Sequence, residues 1–541
     1  MARWRILPFG LLLFLLHASP LVAGSWPALD AALAGTSSLP EGRRMYSPRL
    51  LAVFYAARGQ RPVWTSRARV GSLARLLAGV EREGFSPEDF HLATLARLTV
   101  APPRDERARA GLELLLSDAL LRYVHHTRYG KLDPVQVAPG HNDRAPVAAA
   151  QILADMRLAL AAEDMAEALA GRFSLPFWYR DLRRALRDYV AQDHLLELPP
   201  LPAGPPLGLG SRGERVVGVR ERVRLIAGEP LPAADDETAR RFDAGLREAV
   251  RELQRRYGLV DDGVVGPRTL AVLNRPIDAA RIERALINLE RMRWLYAELP
   301  PDHLFVDLAG YRVVLVRGGE AVWETRAIVG SVEDQTPMFR DRMDHLVINP
   351  TWTVPVSIQK GMGWVSQNYL LVDRRSGAVR RGGDASNYRR YQLVQKPGAD
   401  NALGRVKFMF PNRHAIYLHD TPSRWLFSRR QRTFSHGCIR VDEPVALATT
   451  LLEGSAWDRE RIERLIARGR TRHIHLERPL PVLLYYLTVR ADAAGRLVFR
   501  DDVYGRDPAL LEAFFAPVRG TRIDFEGVGD PLRLGQAGDD G

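Results

Sequence analysis

Thr433-Phe434-Ser435-His436-Gly437-Cys438-Ile439-Arg440-Val441-Asp442 holds the single cysteine of a 541-residue chain. A hydroxyl, an imidazole and a glycine precede the thiol, and a guanidinium follows two residues later. A cysteine used as a small hydrophobe has no need of such neighbours. With a pKa of about 8.5, a thiol is scarcely ionised at neutral pH, so attack on an amide requires a base that takes its proton and later returns it. Two histidines can serve: His436, beside the thiol, and His419, nineteen residues upstream at the end of a predicted strand, Ala415-Ile416-Tyr417-Leu418-His419. Gly437 lets backbone approach a carbonyl closely. The N–H groups of Gly437 and Cys438 are the expected oxyanion donors, each worth about 3 kcal/mol of barrier. Arg440 either holds this loop or meets a carboxylate; the residues leave both open. Asp442 is expected to cap a helix starting near Pro444.

Around this stretch the pattern is β-rich from residue 303 onward. Leu304–Leu308, Arg312–Val316 and Ala321–Thr325 read as strands, with Gly318-Gly319 turning between the last two. His345–Asn349 and Val406–Phe410 continue the pattern. Upstream, Ile282, Leu286, Leu289, Met292 and Leu295 keep helical spacing among charged residues, predicting an amphipathic connecting helix over 278–300. Before it, 209–276 forms a compact segment. Phe242, Leu246, Val250, Leu253, Gln254 and Tyr257-Gly258-Leu259 lead to Asp262-Gly263 and Gly266-Pro267-Arg268-Thr269, where a turn feeds a helix through Pro267. Pro199–Pro206 reads as a stiff linker. Residues 25–200 are mostly helical, as in Leu112-Leu115-Leu116-Ala119-Leu120-Tyr123-Val124.

The chain opens with Arg3 and Arg5, an apolar run from Leu7 to Leu16, and small residues from Ala18 to Ser25. That order predicts a secretory signal peptide over 1–24, cleaved near Ala23 or Gly24. The apolar run is shorter than the ~20 residues that span a bilayer. One cysteine permits no internal disulfide, and a spare thiol outside the cytoplasm is exposed to oxidation. The formal charge of +13 is spread along the chain as arginine, and no helix-turn-helix, zinc finger or stacking motif accompanies it, which excludes nucleic acid as the expected partner. His125-His126 and His473-Ile474-His475 lack a third ligand nearby and read as structural, so no metal or cofactor is expected.

His419, followed after a short gap by Ser435-His436-Gly437-Cys438-Ile439-Arg440, resembles the active-site signature of the L,D-transpeptidase (YkuD-type) catalytic domain. The 209–276 segment resembles the type 1 peptidoglycan-binding module. Ile328-Val329-Gly330, Gln335–Phe339, Asn349–Pro355, Gln395–Gly398, Asn401–Arg405 and Phe408–Asn412 are similar to the large multidomain YcbB-like subgroup. The resemblance implies a multidomain α+β chain. Its expected parts are a helical scaffold domain (25–200), a small three-helix module (209–276) and a mainly β catalytic domain (303–480). Within the last, 357–394 is a capping insertion suited to a mobile lid, and 481–541 is a C-terminal extension. It also implies Cys438 as nucleophile and His419 as general acid/base, with Ser435, His436 and Arg440 in support. The implied reaction forms 3→3 cross-links between stem peptides in the periplasm, through a cysteine thioester. A tetrapeptide stem is the donor, a diaminopimelate amine the acceptor, and the module would hold the glycan strand. An L,D-carboxypeptidase, a protein-to-wall attachment or release enzyme, and a non-catalytic wall-binding protein are the alternatives.

Overall fold

The computed structural model describes residues 26–35, 38–139, 142, 144–172, 177–227, 236–295, 299–518, 520–526 and 528; the expected signal peptide lies outside them. The N-terminal region is helical and is organised on α1 (Glu106–Tyr129). Asp105 starts this helix by accepting the Ala108 N–H at 2.8 Å, and Gly130, at φ +91°, ends it. Its buried faces carry charge with partners in place. Glu113 accepts from Tyr55 Oη at 2.9 Å, and Asp118 accepts from Arg122 at 2.5 Å and pairs with His91 at 2.9 Å. His125 and His126 are wholly buried among Tyr46, Phe85 and Phe90, which is a structural role.

The connecting helix, α2 (Ala279–Leu295), departs from the amphipathic expectation. Asn288, Glu290, Arg291 and Arg293 are buried along with its apolar stripe. The reason is that polar partners close in from both sides. Arg291 pairs with Asp507 at 2.6 Å, Arg293 with Glu290 at 3.2 Å, and Asn288 donates to Thr488 Oγ1 at 2.9 Å. Gly130 is small because α2 passes there: a Cβ would lie 2.6 Å from Glu290 Oε1 and 2.9 Å from Trp294.

The segment before α2 packs three helices, Glu214–Ala227, Ala244–Arg256 and Pro267–Asn274. Buried Gln254 ties the Asp-Gly turn to the last of them, donating to Asp262 at 2.9 Å and Thr269 at 3.1 Å while accepting the Gly263 N–H at 2.9 Å. The proline-rich stretch is not a free spacer. Arg222 donates to Pro199 O at 2.7 Å, and the Leu201 N–H donates to Asn274 Oδ1 at 2.7 Å, so it lies along the helices. Tyr257 stacks on Phe499 at 5.8 Å, fixing this unit against the C-terminal part of the chain.

From residue 303 the chain builds a barrel of short and long strands: β1 (His303–Asp307), β2 (Arg312–Arg317), β3 (Glu320–Gly330) and β4 (Phe339–Ile348). A four-stranded antiparallel sheet then interrupts it: β5 (Trp352–Thr353), β6 (Trp364–Asp373), β7 (Val379–Asp384) and β8 (Tyr391–Gln395), in the order β7-β6-β8-β5. This insertion has its own small core of Val354, Val365, Leu371, Ala385 and Leu393, so it is a folded unit rather than a loop. The barrel resumes with β9 (Val406–Met409), β10 (Leu418–His419), β11 (Thr433–Ser435), β12 (Ile439–Val441) and β13 (Arg472–Tyr485). Strand order is β11-β3-β12-β10-β9-β4-β13-β1-β2, and β2 also pairs with β3. The sheet therefore closes on itself, because the long β3 bonds β2 with its first half and β12 with its second.

The C-terminal segment is not a tail. Helix α3 (Asp507–Phe515) brings Asp507 to α2, and Ile523–Asp524 adds a strand to Val147–Ala148 of the helical region, with Arg522 on Asp133 at 2.6 Å.

Candidate active site

Register decides what the site contains. Phe408, Leu418 and Ile439 stand opposite one another on β9, β10 and β12 and are fully buried. The next position along each strand must face the other way. That position is Lys407, His419 and Arg440, again directly opposite one another. One alternation further back, Tyr417 and Cys438 share the same face, joined by the Ile439 N–H donating to Tyr417 O at 3.1 Å. Five chemically active side chains from three strands are thus brought to one surface. Sequence reasoning found Cys438, His419 and Arg440 but missed Tyr417 and Lys407. Tyr417 was open to discovery, since it precedes His419 by one strand alternation. Lys407 was not, because only tertiary register places it there.

His419 is buried, and its Nδ1 lies 2.5 Å from Asp420 O. A carbonyl only accepts, so Nδ1 carries the proton and Nε2 holds the free lone pair. Burial, with the Arg440 and Lys407 cations, pushes His419 down to about 3, which keeps the ring neutral. Burial also raises the Cys438 thiol; hydrogen bonds from Tyr417 and the charges of Lys407 and Arg440 oppose that rise. Cys438 Sγ is 3.8 Å from Ala415 O. Both shifts favour the neutral forms of the two groups.

The loop before Cys438 is held from several sides. Gly437 sits at φ +101°, where an L side chain is strained, and its carbonyl accepts from Thr336 Oγ1 at 2.7 Å. The Gly437 N–H, expected to be an oxyanion donor, instead donates to Ser435 Oγ at 3.2 Å. Ser435 Oγ in turn donates to Cys438 O at 2.5 Å, so buried Ser435 is a brace of the loop. His436 points outward, its side chain 62% exposed and 4.0 Å from Asp334. It does not join the face that holds Cys438.

Asp442 is corrected too: it caps no helix. The helix Pro444–Leu451 starts at Glu443 without a side-chain cap, while Asp442 pairs with Arg326 and Arg424, each at 2.6 Å. His473 and His475 lie against His345, at ring separations of 5.4 and 5.1 Å. Even so, no cluster of three potential ligands able to hold a metal ion occurs among the described residues. No helix among them is long and apolar enough to cross a membrane.

Residues 301–462 match the family model of the L,D-transpeptidase catalytic domain (YkuD). Over these residues the chain is similar to L,D-transpeptidase catalytic domains. Residues 49–186 match a scaffold domain, and 231–273 match a "Putative peptidoglycan binding domain". A curated Haemophilus influenzae protein named "Putative L,D-transpeptidase" is 31% identical over 241 residues, 42% of this chain and 48% of that protein. The chain thus aligns with about half the length of that relative. Among solved structures, an L,D-transpeptidase from Xylanimonas cellulosilytica (residues 123–326) is 20% identical, covering 52% of this chain and 99% of its own, with a TM-score of 0.17. The catalytic domain of the Enterococcus faecium L,D-transpeptidase is 13% identical, covering 35% and 99%, with a TM-score of 0.15. At such scores the overlays bear nothing on the whole fold. The strands that assemble Cys438, His419 and Arg440 all lie within the residues that match the L,D-transpeptidase catalytic domain model.

Proposed function

We propose that this protein is an extracytoplasmic, periplasmic peptidoglycan L,D-transpeptidase that joins stem peptides by 3→3 cross-links. The observation that carries the reading is the single face on which Cys438, His419, Tyr417, Lys407 and Arg440 meet, within a domain that matches the L,D-transpeptidase family. Nε2 of His419 takes the Cys438 proton as sulfur attacks the carbonyl of the third stem residue. The tetrahedral oxyanion faces the Cys438 N–H, since Ser435 occupies the Gly437 N–H. Collapse breaks the C–N bond, and the proton on Nε2 passes to the departing amine of D-Ala, leaving a thioester on Cys438. A diaminopimelate side-chain amine of a second stem then adds to the thioester. His419 takes a proton from that amine, and the cysteine thiol leaves with it restored.

The inserted sheet is a lid over this face. Its two stalks leave β4 after Ile348 and enter β9 at Val406, a directly paired position one residue from Lys407. The three-helix unit, stacked on Phe499, would hold glycan at a fixed offset from Cys438.

Incubation with disaccharide-tetrapeptides followed by mass spectrometry tests the reading. A dimer lacking one D-Ala supports it, and tripeptide alone would make water the acceptor and the protein an L,D-carboxypeptidase. The enzyme reading fails if neither forms and a carbapenem adds no mass that Cys438→Ser abolishes.

A further inference from the structure

Two cations on the site face have no task in the steps above. Lys407 and Arg440 flank His419, one across β9–β10 and the other across β10–β12, and both are partly buried. Lys407 Nζ stands 3.8 Å from the Tyr417 ring centroid. Arg440 Nε is buried without a hydrogen-bond partner. Among the described residues no carboxylate pairs with either. Several buried cations elsewhere have a carboxylate, Lys131 on Asp89 at 2.9 Å, Arg128 on Asp155 at 2.5 Å and Arg291 on Asp507 at 2.6 Å, while Arg222 and Arg256 are met by backbone carbonyls. Removing a cation from water without a counter-ion costs several kcal/mol. Two such cations beside a nucleophile gain a counter-charge only when an anion arrives.

We propose that Lys407 and Arg440 form a carboxylate subsite, which grips the chain-terminal carboxylate of the residue expelled from the donor stem. The assignment of that ligand rests on the transpeptidase reading. The scissile carbonyl and the free carboxylate of the next residue are one residue apart, about 3.5 Å of chain. Neighbouring strands are spaced by about 4.8 Å, so a carbonyl over Cys438 places that carboxylate within reach of Arg440 on the same strand and Lys407 two strands away. A guanidinium offers a planar fork to the two oxygens, and the ammonium a point charge from the opposite side. A stem extended by a further residue, or ending in an amide, presents no charge at this point. The subsite therefore selects donors that end one residue after the scissile bond.

Two measurements test this. Cys438 is alkylated by iodoacetate, an anion, and by iodoacetamide, its neutral analogue. Any change in thiol ionisation alters both rates together, so their ratio isolates the anion subsite and needs no transpeptidase activity. Lys407→Gln is expected to lower the iodoacetate-to-iodoacetamide ratio about tenfold, with Lys407→Arg retaining most of it. Arg440→Gln should act in the same direction, with melting temperature checked in each variant. A ratio unchanged within about twofold in both glutamine variants overturns the subsite. The second measurement compares kcat/KM for disaccharide-tetrapeptide with its C-terminal amide. The acid should be preferred by at least about tenfold, mainly through KM, and Lys407→Gln should erase most of the preference. Equal use of acid and amide by the unaltered protein overturns the assigned ligand. Absence of turnover with both would instead defeat the transpeptidase reading while the alkylation ratio still decides the subsite.

Discussion

The connecting helix and the face of β9, β10 and β12 both take cations out of water, and they do it differently. On α2 the buried Arg291 and Arg293 are answered at once, by Asp507 and by Glu290 with Tyr179. On the catalytic face Lys407 and Arg440 are answered by no carboxylate among the described residues. In the first region charge joins one part of the chain to another; in the second it is left available. The contrast separates a structural ion pair from a binding group more clearly than burial does, since both regions are buried to a degree.

The comparison can be broken most severely at Asp507. Asp507→Ala strands Arg291 and should destabilise the protein by about 3–5 kcal/mol in denaturant unfolding, because an uncompensated buried charge remains. A loss below about 1 kcal/mol would mean that these arginines are no better matched than Lys407.

Acid sharpens it next. His126 has both ring nitrogens buried without partners, and burial holds it well below its ordinary value of 6.5. The unfolded state therefore binds the proton first, and stability present above about pH 6.5 falls by about 1.4 kcal/mol per pH unit on acidification. His126→Phe should remove that increment from the acid limb of the stability–pH curve. His419, held down to about 3, contributes in the same direction down to that pH.

A smaller effect concerns the thiol. Its alkylation rate by iodoacetamide should rise through the alkaline range with a midpoint above the ordinary thiol value, since burial raises Cys438. Loss of the Lys407 charge should move that midpoint higher still, measured by stopped alkylation across pH. A midpoint near 6 would instead show a preformed thiolate–imidazolium pair.

The smallest change is expected in the fold itself. Lys407→Gln should alter unfolding free energy by less than about 1 kcal/mol, or raise it, because no counter-ion is stranded. A loss comparable with Asp507→Ala would reveal Lys407 as a structural cation.

Much of this was readable along the chain. The β-branched run Arg312–Val316 and the Gly318-Gly319 turn predicted a hairpin that the structure contains, and Pro267 begins the helix it was expected to begin. What misled was local reading of charge. Asp442 beside Pro444 looked like a cap, yet Arg326 and Arg424 converge on it from other elements. The N–H of Gly437, an expected oxyanion donor, meets Ser435 Oγ two residues before it. The α2 sequence looked amphipathic because the acidic partner of Arg291, Asp507, lies 216 residues away.

The sequence by itself pointed to a candidate nucleophile, its candidate base and the kind of domain that carries them, because these depend on residue types at short, fixed offsets. The tertiary structure alone decided which cations are paired, that the Gly437 N–H meets Ser435 and that Lys407 stands opposite His419. Those properties follow from strand register and from contacts between distant segments, for which no local signal exists.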